Sequence, residues 1–301
     1  RIEVKCGGQT VWDTDVVNSK QSTFINYEGR PLENGTTYRW TVTVTDNHGD
    51  TASASASFET AFLHKSAWKA EWAESALPRT KSEEGFGKQP PATLFRKSFQ
   101  LKGTVKKARL YATCHGIYRL TVNGSRPDDR EFAPENSSYA KLLYYQTYDV
   151  TELLQNGENV IGMYVGDGWY CGPKTIPNIK NFKPAHAVLF QLEAEYTDGR
   201  QETIYSDDTV KTSYGPILFS DLFAGEKYDA NQELPGWDCP GFAEDDWCPV
   251  RIANYGYDQL QAQAGAVVRA VKELPVQRIY TSPKGELILQ LKQNIAGRLR
   301  L

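Results

Sequence analysis

Adjacent carboxylate pairs, four histidines and five cysteines are the residues of this sequence with the plainest capacity for chemistry, and their spacing does not organise it. Acid–base hydrolysis by carboxyl groups needs two of them facing each other across the bond that breaks. Asp207-Asp208 and Asp245-Asp246 are sequence neighbours, and neighbours in an extended chain point to opposite faces. They read as turns. His48, His64, His115 and His186 show no HxxxH or HxH spacing, and no Ser sits in a Gly-x-Ser-x-Gly elbow. Metal-assisted hydrolysis and serine acyl transfer therefore lack their signatures. His115 follows Cys114, but adjacency on a strand parts a thiol from an imidazole, so a structural His is expected. Cys6, Cys114, Cys171, Cys239 and Cys248 are odd in number and scattered, which fits buried thiols better than a disulfide framework or a zinc site.

The elements that would hold any site are β-strands. Apolar and polar residues alternate in Tyr38–Thr45 and Ala187–Tyr196, and the runs close at Asp46-Asn47-His48-Gly49 and Thr197-Asp198-Gly199, the turn chemistry of hairpins. Of 301 residues 40% are hydrophobic and 12% aromatic, with 17 Tyr and 7 Trp against one Met, a composition suited to pleated sheets and to sugar faces. A formal net charge of −3 supplies no basic footprint, so nucleic acid is not an expected partner. No apolar run reaches the roughly 20 residues that span a bilayer, so no membrane partner is expected either.

Three units follow from the strand pattern, and the fold class expected is all-β, as tandem β-sandwiches. Residues 1–61 carry strand-like runs at 1–5, 22–27, 37–45 and 52–59, and Leu32–Asp46 resembles the late strands of a fibronectin type III-like module. Four runs are fewer than such a sandwich uses, so the unit is expected to begin mid-fold. Residues 62–255 hold runs at 93–100, 105–113, 117–122, 143–149, 158–165, 186–196, 201–205 and 209–213, the pattern of a jelly-roll sandwich. Within it, 78–91 reads as a surface loop and Thr151–Leu154 as a short helix capped by Thr151. Residues 256–301, with alternation at 264–271 and 285–291, read as the start of a third β domain that stops inside a strand.

Several phrases, in this order, resemble bacterial α-L-rhamnosidases: Ala67–Trp72, Phe95–Phe99, Ala108–Thr113 with Gly116–Gly124, Tyr145–Thr151, Gly157–Ile161, Gly166-Asp167-Gly168-Trp169-Tyr170, Tyr228–Ala230, Pro235–Trp237 and Gln293–Gly297. The resemblance implies the non-catalytic N-terminal part of a modular hydrolase that removes terminal rhamnosyl groups with inversion. Its carboxylates would lie in a C-terminal (α/α) barrel of the same polypeptide, and the setting would be periplasmic or secreted. Asp238-Cys239-Pro240 with Glu244 superficially matches an acidic motif of that barrel. Here the intervening Gly241-Phe242-Ala243 lacks its Arg, and the flanks read as a loop with a packed Trp pair.

In some members of that family the jelly-roll binds rhamnose with the help of calcium. The resemblance therefore directs attention to residues 123–139 and 166–173. Asn123, Asp129, Asn136, Tyr139, Asp167, Trp169 and Tyr170 would contact rhamnose-containing glycans, and Asp128, Asp129 and Asp167 would supply the oxygens calcium needs. No cofactor is required otherwise. The competing reading makes Asp128–Glu131 a solvated turn and packs Trp169 and Tyr170 between sheets. Asn136 and Ser138 stand where the family often has Trp and Asp, which weakens an inherited sugar site more than the fold.

Overall fold

The computed structural model describes residues 1–78, 91–171, 185–222 and 225–298. The expected loop over 78–91 and the tail of the 166–173 segment therefore fall largely outside the described residues.

The first unit is one four-stranded antiparallel sheet, ordered β2-β1-β3-β4, of β1 (Ile2–Cys6), β2 (Gln9–Asp13), β3 (Thr37–Thr45) and β4 (Thr51–Glu59). Two of the expected runs change. Residues 22–27 form no strand, because Phe24 takes φ +55 and stands 94% exposed. Residues 9–13 do form one, folded back on β1 through Gly7 and Gly8, both at positive φ. Pairing of β3 with β4 sorts Tyr38, Trp40, Val42 and Val44 with Phe58, Ala56, Ala54 and Ala52 onto one face. The opposite face is a hydroxyl ladder, with Thr41–Ser55 and Thr43–Ser53 both at 2.8 Å.

The central unit is a two-sheet sandwich. One sheet runs β9 (Leu143–Asp149), β7 (Val105–His115), β11 (Ala187–Tyr196) and β5 (Trp72–Ser75), with β12 (Gln201–Tyr205) also on β11. The other runs β13 (Lys211–Tyr214), β6 (Thr93–Leu101), β10 (Gly157–Gly166) and β8 (Ile117–Val122). β16 (Cys248–Ala253) joins them, giving Cys248 and Pro249 to β13 and Val250–Ala253 to β5, a strand that turns the corner between sheets. Phe95, Ile161 and Met163 from one sheet meet Leu110, Phe190 and Leu192 from the other in the shared core. A short hairpin, β14 (Ile217–Asp221) with β15 (Gly225–Tyr228), follows β13.

The outer face of the β7–β11 sheet is buried as well. Tyr111, Tyr145 and Leu189 lie under Trp68, Trp72 and Tyr170 in a second, aromatic core. Gln191, fully buried, fastens that layer: its Oε1 accepts from the Lys69 and Ala70 amides at 2.6 and 3.2 Å, and its Nε2 donates to the Ala67 carbonyl at 2.9 Å. A buried amide satisfied on both sides adds specificity without an orphan group. Residues 151–153 form a single 3-10 turn rather than a capped helix; Thr151 donates to Asp149 Oδ1 at 2.7 Å instead of capping.

Glu59 docks the first unit on the second, taking Arg109 Nε at 2.7 Å and Lys107 Nζ at 3.2 Å. Burial pushes the Glu59 carboxyl up, but Arg109, Thr37 and Lys107 outweigh it and leave it below its ordinary value. Beyond the sandwich, β17 (Leu260–Ala262) pairs parallel with β9, and β18 (Val276–Thr281) with β19 (Leu287–Leu291) makes an isolated hairpin. The run 264–271 expected as a strand contributes only one bridge, Arg130 to Arg269.

Candidate functional site

The segment closing β10 is shaped by a glycine. Gly168 sits at φ +54, and a Cβ there would stand 2.5 Å from Ile117 Cγ2 and 3.1 Å from the Ile117 amide, so no other residue fits this turn without displacing backbone. The Cys171 amide then donates to the Asp167 carbonyl, closing one helical turn over Gly168–Cys171. Successive side chains of that turn part ways. Asp167 and Tyr170 go inward, and Trp169 stays half-buried at the surface.

Asp167 is 3% exposed, and its Oδ1 lies 2.8 Å from Nε2 of His186, whose Nδ1 lies 2.9 Å from Thr93 Oγ1. Hydroxyl, imidazole and carboxylate in series match the connectivity of a nucleophile triad. Thr93 is only 1% exposed, so no substrate reaches that hydroxyl. The series fixes the Gly168 turn to β6 and to the start of β11. Tyr170 stacks on His115 at 4.2 Å and 7°, and Trp72 stacks on the other face of His115 at 4.3 Å. Tyr139 meets Tyr170 edge-on at 5.2 Å, and its hydroxyl donates to the Glu135 carbonyl at 3.0 Å. Burial pushes the phenols of Tyr139 and Tyr170 up. Both are packing residues with no face to offer a ligand.

Asn123 is a turn residue. At φ +50 beside Gly124 at φ +78 it makes the Asn-Gly hairpin after β8. Its Nδ2 donates to Leu153 O at 2.8 Å, and its Oδ1 accepts from the Val160 amide at 2.8 Å. Asp128 holds Arg130, taking Nε at 2.6 Å, while the Arg130 guanidinium lies 4.3 Å over the Tyr148 ring. Asp129 is exposed and pairs loosely with Arg269 at 3.5 Å. Asn136 is exposed.

The three aspartates therefore do not converge as expected. Asp128 and Asp129 face arginines and Asp167 is buried against an imidazole, and among the described residues no three His, Cys, Asp or Glu side chains are grouped to hold a metal. Calcium needs six to eight oxygens, and this set does not fit it. What the structure does bring together is Trp169 with Phe132, edge-on at 6.2 Å. Phe132 is 45% exposed at φ +59. An aromatic held at the surface in that conformation was legible only as the residue before Ala133-Pro134, and nothing in its spacing marks it. The pair forms a ledge able to stack on the C–H face of a sugar.

Other polar features are committed to structure. An open groove of about 520 Å³ is lined by Lys106, Lys107, Arg109 and Asp149, but its cations already face carboxylates at Glu195, Glu59 and Asp149. Around the Asp238-Cys239-Pro240 segment, Trp237 stacks on Trp247 at 6.1 Å and Glu244 pairs with the buried Arg96 at 2.9 Å.

The sandwich and its flanking sheet match known families. A model of the α-L-rhamnosidase N-terminal domain matches residues 103–272, and one of the Rha78A-like N-terminal immunoglobulin domain matches residues 1–64. The chain belongs to the α-L-rhamnosidase N-terminal domain family. An α-L-rhamnosidase of Formosa agariphila is 35% identical over 95% of this chain and 30% of its own length. The structure of native α-L-rhamnosidase from Aspergillus terreus superposes with a TM-score of 0.83 at 31% identity, over 96% of this chain and 33% of that one. The Streptomyces avermitilis α-L-rhamnosidase complexed with L-rhamnose shares the fold, with a TM-score of 0.85 at 24% identity over 96% of this chain and 44% of that one. The chain spans a third or less of the length of the curated relatives it matches.

Proposed function

We propose that this chain serves as a non-catalytic scaffold within a longer α-L-rhamnosidase, packing beside an (α/α) barrel that carries the two carboxylates of an inverting hydrolysis. The observation that carries this reading is the β18–β19 hairpin. Register places Ile279, Leu287 and Leu289 on one face, and Ile279 and Leu287 are 60% and 69% exposed. A lone two-stranded hairpin is marginal in water, and an apolar face of this kind is the mark of a covered surface. The carboxylate pairs support the same reading: Asp207 is engaged by Lys97 at 2.6 Å, and Asp245 and Asp246 are exposed sequence neighbours. The test is release of nitrophenol from an aryl α-L-rhamnoside by the purified chain. The scaffold reading expects none, and turnover that survives removal of contaminating glycosidases would overturn it.

A second reading, favoured by the Phe132–Trp169 ledge, is weak binding of rhamnose-containing glycans. Titration calorimetry with L-rhamnose should then give heat that Phe132→Ala abolishes and a chelator leaves unchanged, since the aspartates are committed elsewhere. Heat that requires calcium would instead restore a metal-dependent site.

A further inference from the structure

The loop 128–139 is held in an unusual shape from outside itself. Phe132 and Glu135 both occupy the left-handed region, at φ +59 and +72, where non-glycine residues persist only if their surroundings over-determine them. Inside the loop, the Glu135 amide donates to the Phe132 carbonyl at 2.7 Å. The sandwich holds the loop at its middle, where the Tyr118 amide donates to the Ala133 carbonyl at 2.8 Å, and the Tyr139 hydroxyl donates to the Glu135 carbonyl at 3.0 Å. A further set of restraints comes from the segment that follows β17. Gln263 Nε2 donates to Glu135 Oε1 at 2.7 Å, and the Val268 amide reaches the same oxygen at 3.4 Å. The Glu131 amide donates to the Val268 carbonyl at 2.8 Å, Arg130 bridges Arg269, and Arg269 pairs with Asp129. Farther on, Arg298 meets Glu131 at 2.8 Å.

We propose that residues 260–269 act as a strap that sets the conformation of the 128–139 loop, with Glu135 as the positioning residue, so that the Phe132–Trp169 ledge and the module beyond the strap are mechanically coupled. The strap is itself anchored. It begins as β17 on β9, the Gln263 amide donates to the Tyr145 carbonyl at 3.0 Å, and Gln263 Oε1 accepts from the buried Gln146 at 2.9 Å. Gln146 in turn lies 2.7 Å from the Tyr118 hydroxyl inside the sandwich. One end of the strap is therefore rigid, and its other end leads directly to the β18–β19 hairpin. Val268, Glu131 and Glu135 thus link the segment leading to the hairpin with Phe132, beside the tie of Ala133 to Tyr118 in the core. This coupling belongs to the loop and is measured without any sugar, so it stands or falls independently of the ledge's ligand.

Amide hydrogen exchange on the full chain tests it, because local opening is read segment by segment. Glu135→Ala and Gln263→Ala should each speed exchange of residues 130–136 by about tenfold or more and leave β6, β10 and β11 unchanged. Glu135→Gln, which keeps an acceptor oxygen, should stay close to the parent. Glu135→Ala should also loosen 263–269, since a strap and its load share one set of bonds. If either alanine variant is destabilised throughout, the exposed Arg269→Ala decides: faster exchange confined to 129–136 and 263–269 supports the strap. Unchanged protection of 130–136 in folded variants overturns it.

Discussion

The central sandwich and the β18–β19 hairpin are written in the same alphabet and packed in opposite ways. Ala187–Tyr196 alternates apolar with polar residues, yet β11 is buried on both faces, one against the sandwich core and one under the aromatic layer of Trp68, Trp72 and Tyr170. Val276–Thr281 and Leu287–Leu291 are also rich in apolar and β-favouring residues, yet every residue of β18 is exposed. The first sheet is intermediate: Tyr38 is 3% exposed where it stacks on Phe58 at 5.4 Å, and Val44 on the same face is 59% exposed. Alternation specifies a strand and a face; it does not specify what covers the face. The centre is self-sufficient, and the flanking units offer apolar surface.

The sharpest way to break that contrast is a matched truncation. Leu110→Ala, in the sandwich core, should cost about 2–5 kcal/mol of unfolding free energy, and Leu287→Ala no more than about 0.5. Equal costs in urea unfolding of the chain would mean that the hairpin is packed after all.

Next in size is the buried series at the site. His186→Phe keeps the bulk of the ring but loses contacts to Asp167 and Thr93, and should destabilise by about 1–3 kcal/mol for each buried hydrogen bond removed. Trp169 emission should shift with it, since the Gly168 turn rests on that histidine. A neutral result would show that the turn is held by packing alone.

Smallest is the junction of the first two units. The Glu59 carboxyl sits below its ordinary value when folded, so the pair with Arg109 contributes stability that is fully present above the unfolded pKa, about 4.3 for Glu. That contribution is lost as pH falls through the folded value. Acid should loosen the first unit before it melts the sandwich, and Arg109→Ala should erase the difference, at a cost of about 1 kcal/mol or less for a partly exposed pair. Small-angle scattering from pH 6 to 3 reads the separation.

Much of the sandwich was legible because eight strand-like runs, several of them alternating, are set off by turn residues such as Gly, Asn and Asp. The failures have local causes. Residues 22–27 looked like a strand, but Phe24 adopts a turn conformation in the open, and 264–271 runs beside a loop instead of a strand. The second core was hidden because its lid comes from segments before β5 and after β16, which no period announces. At the site, the sequence singles out Gly166–Tyr170 but not the inward turn of Asp167, since its partner His186, at 2.8 Å, lies 19 positions away in sequence and is itself held by Thr93. Asp128, Asp129 and Asp167 share a residue type; only the fold reveals that arginine and histidine already occupy them.

Native-state amide exchange across the whole chain tests the central contrast most directly. Amides of β7 and β11 should exchange only through global unfolding, whereas those of β18 and β19 should exchange orders of magnitude faster in this chain. Protection of the hairpin equal to that of the sandwich would contradict it.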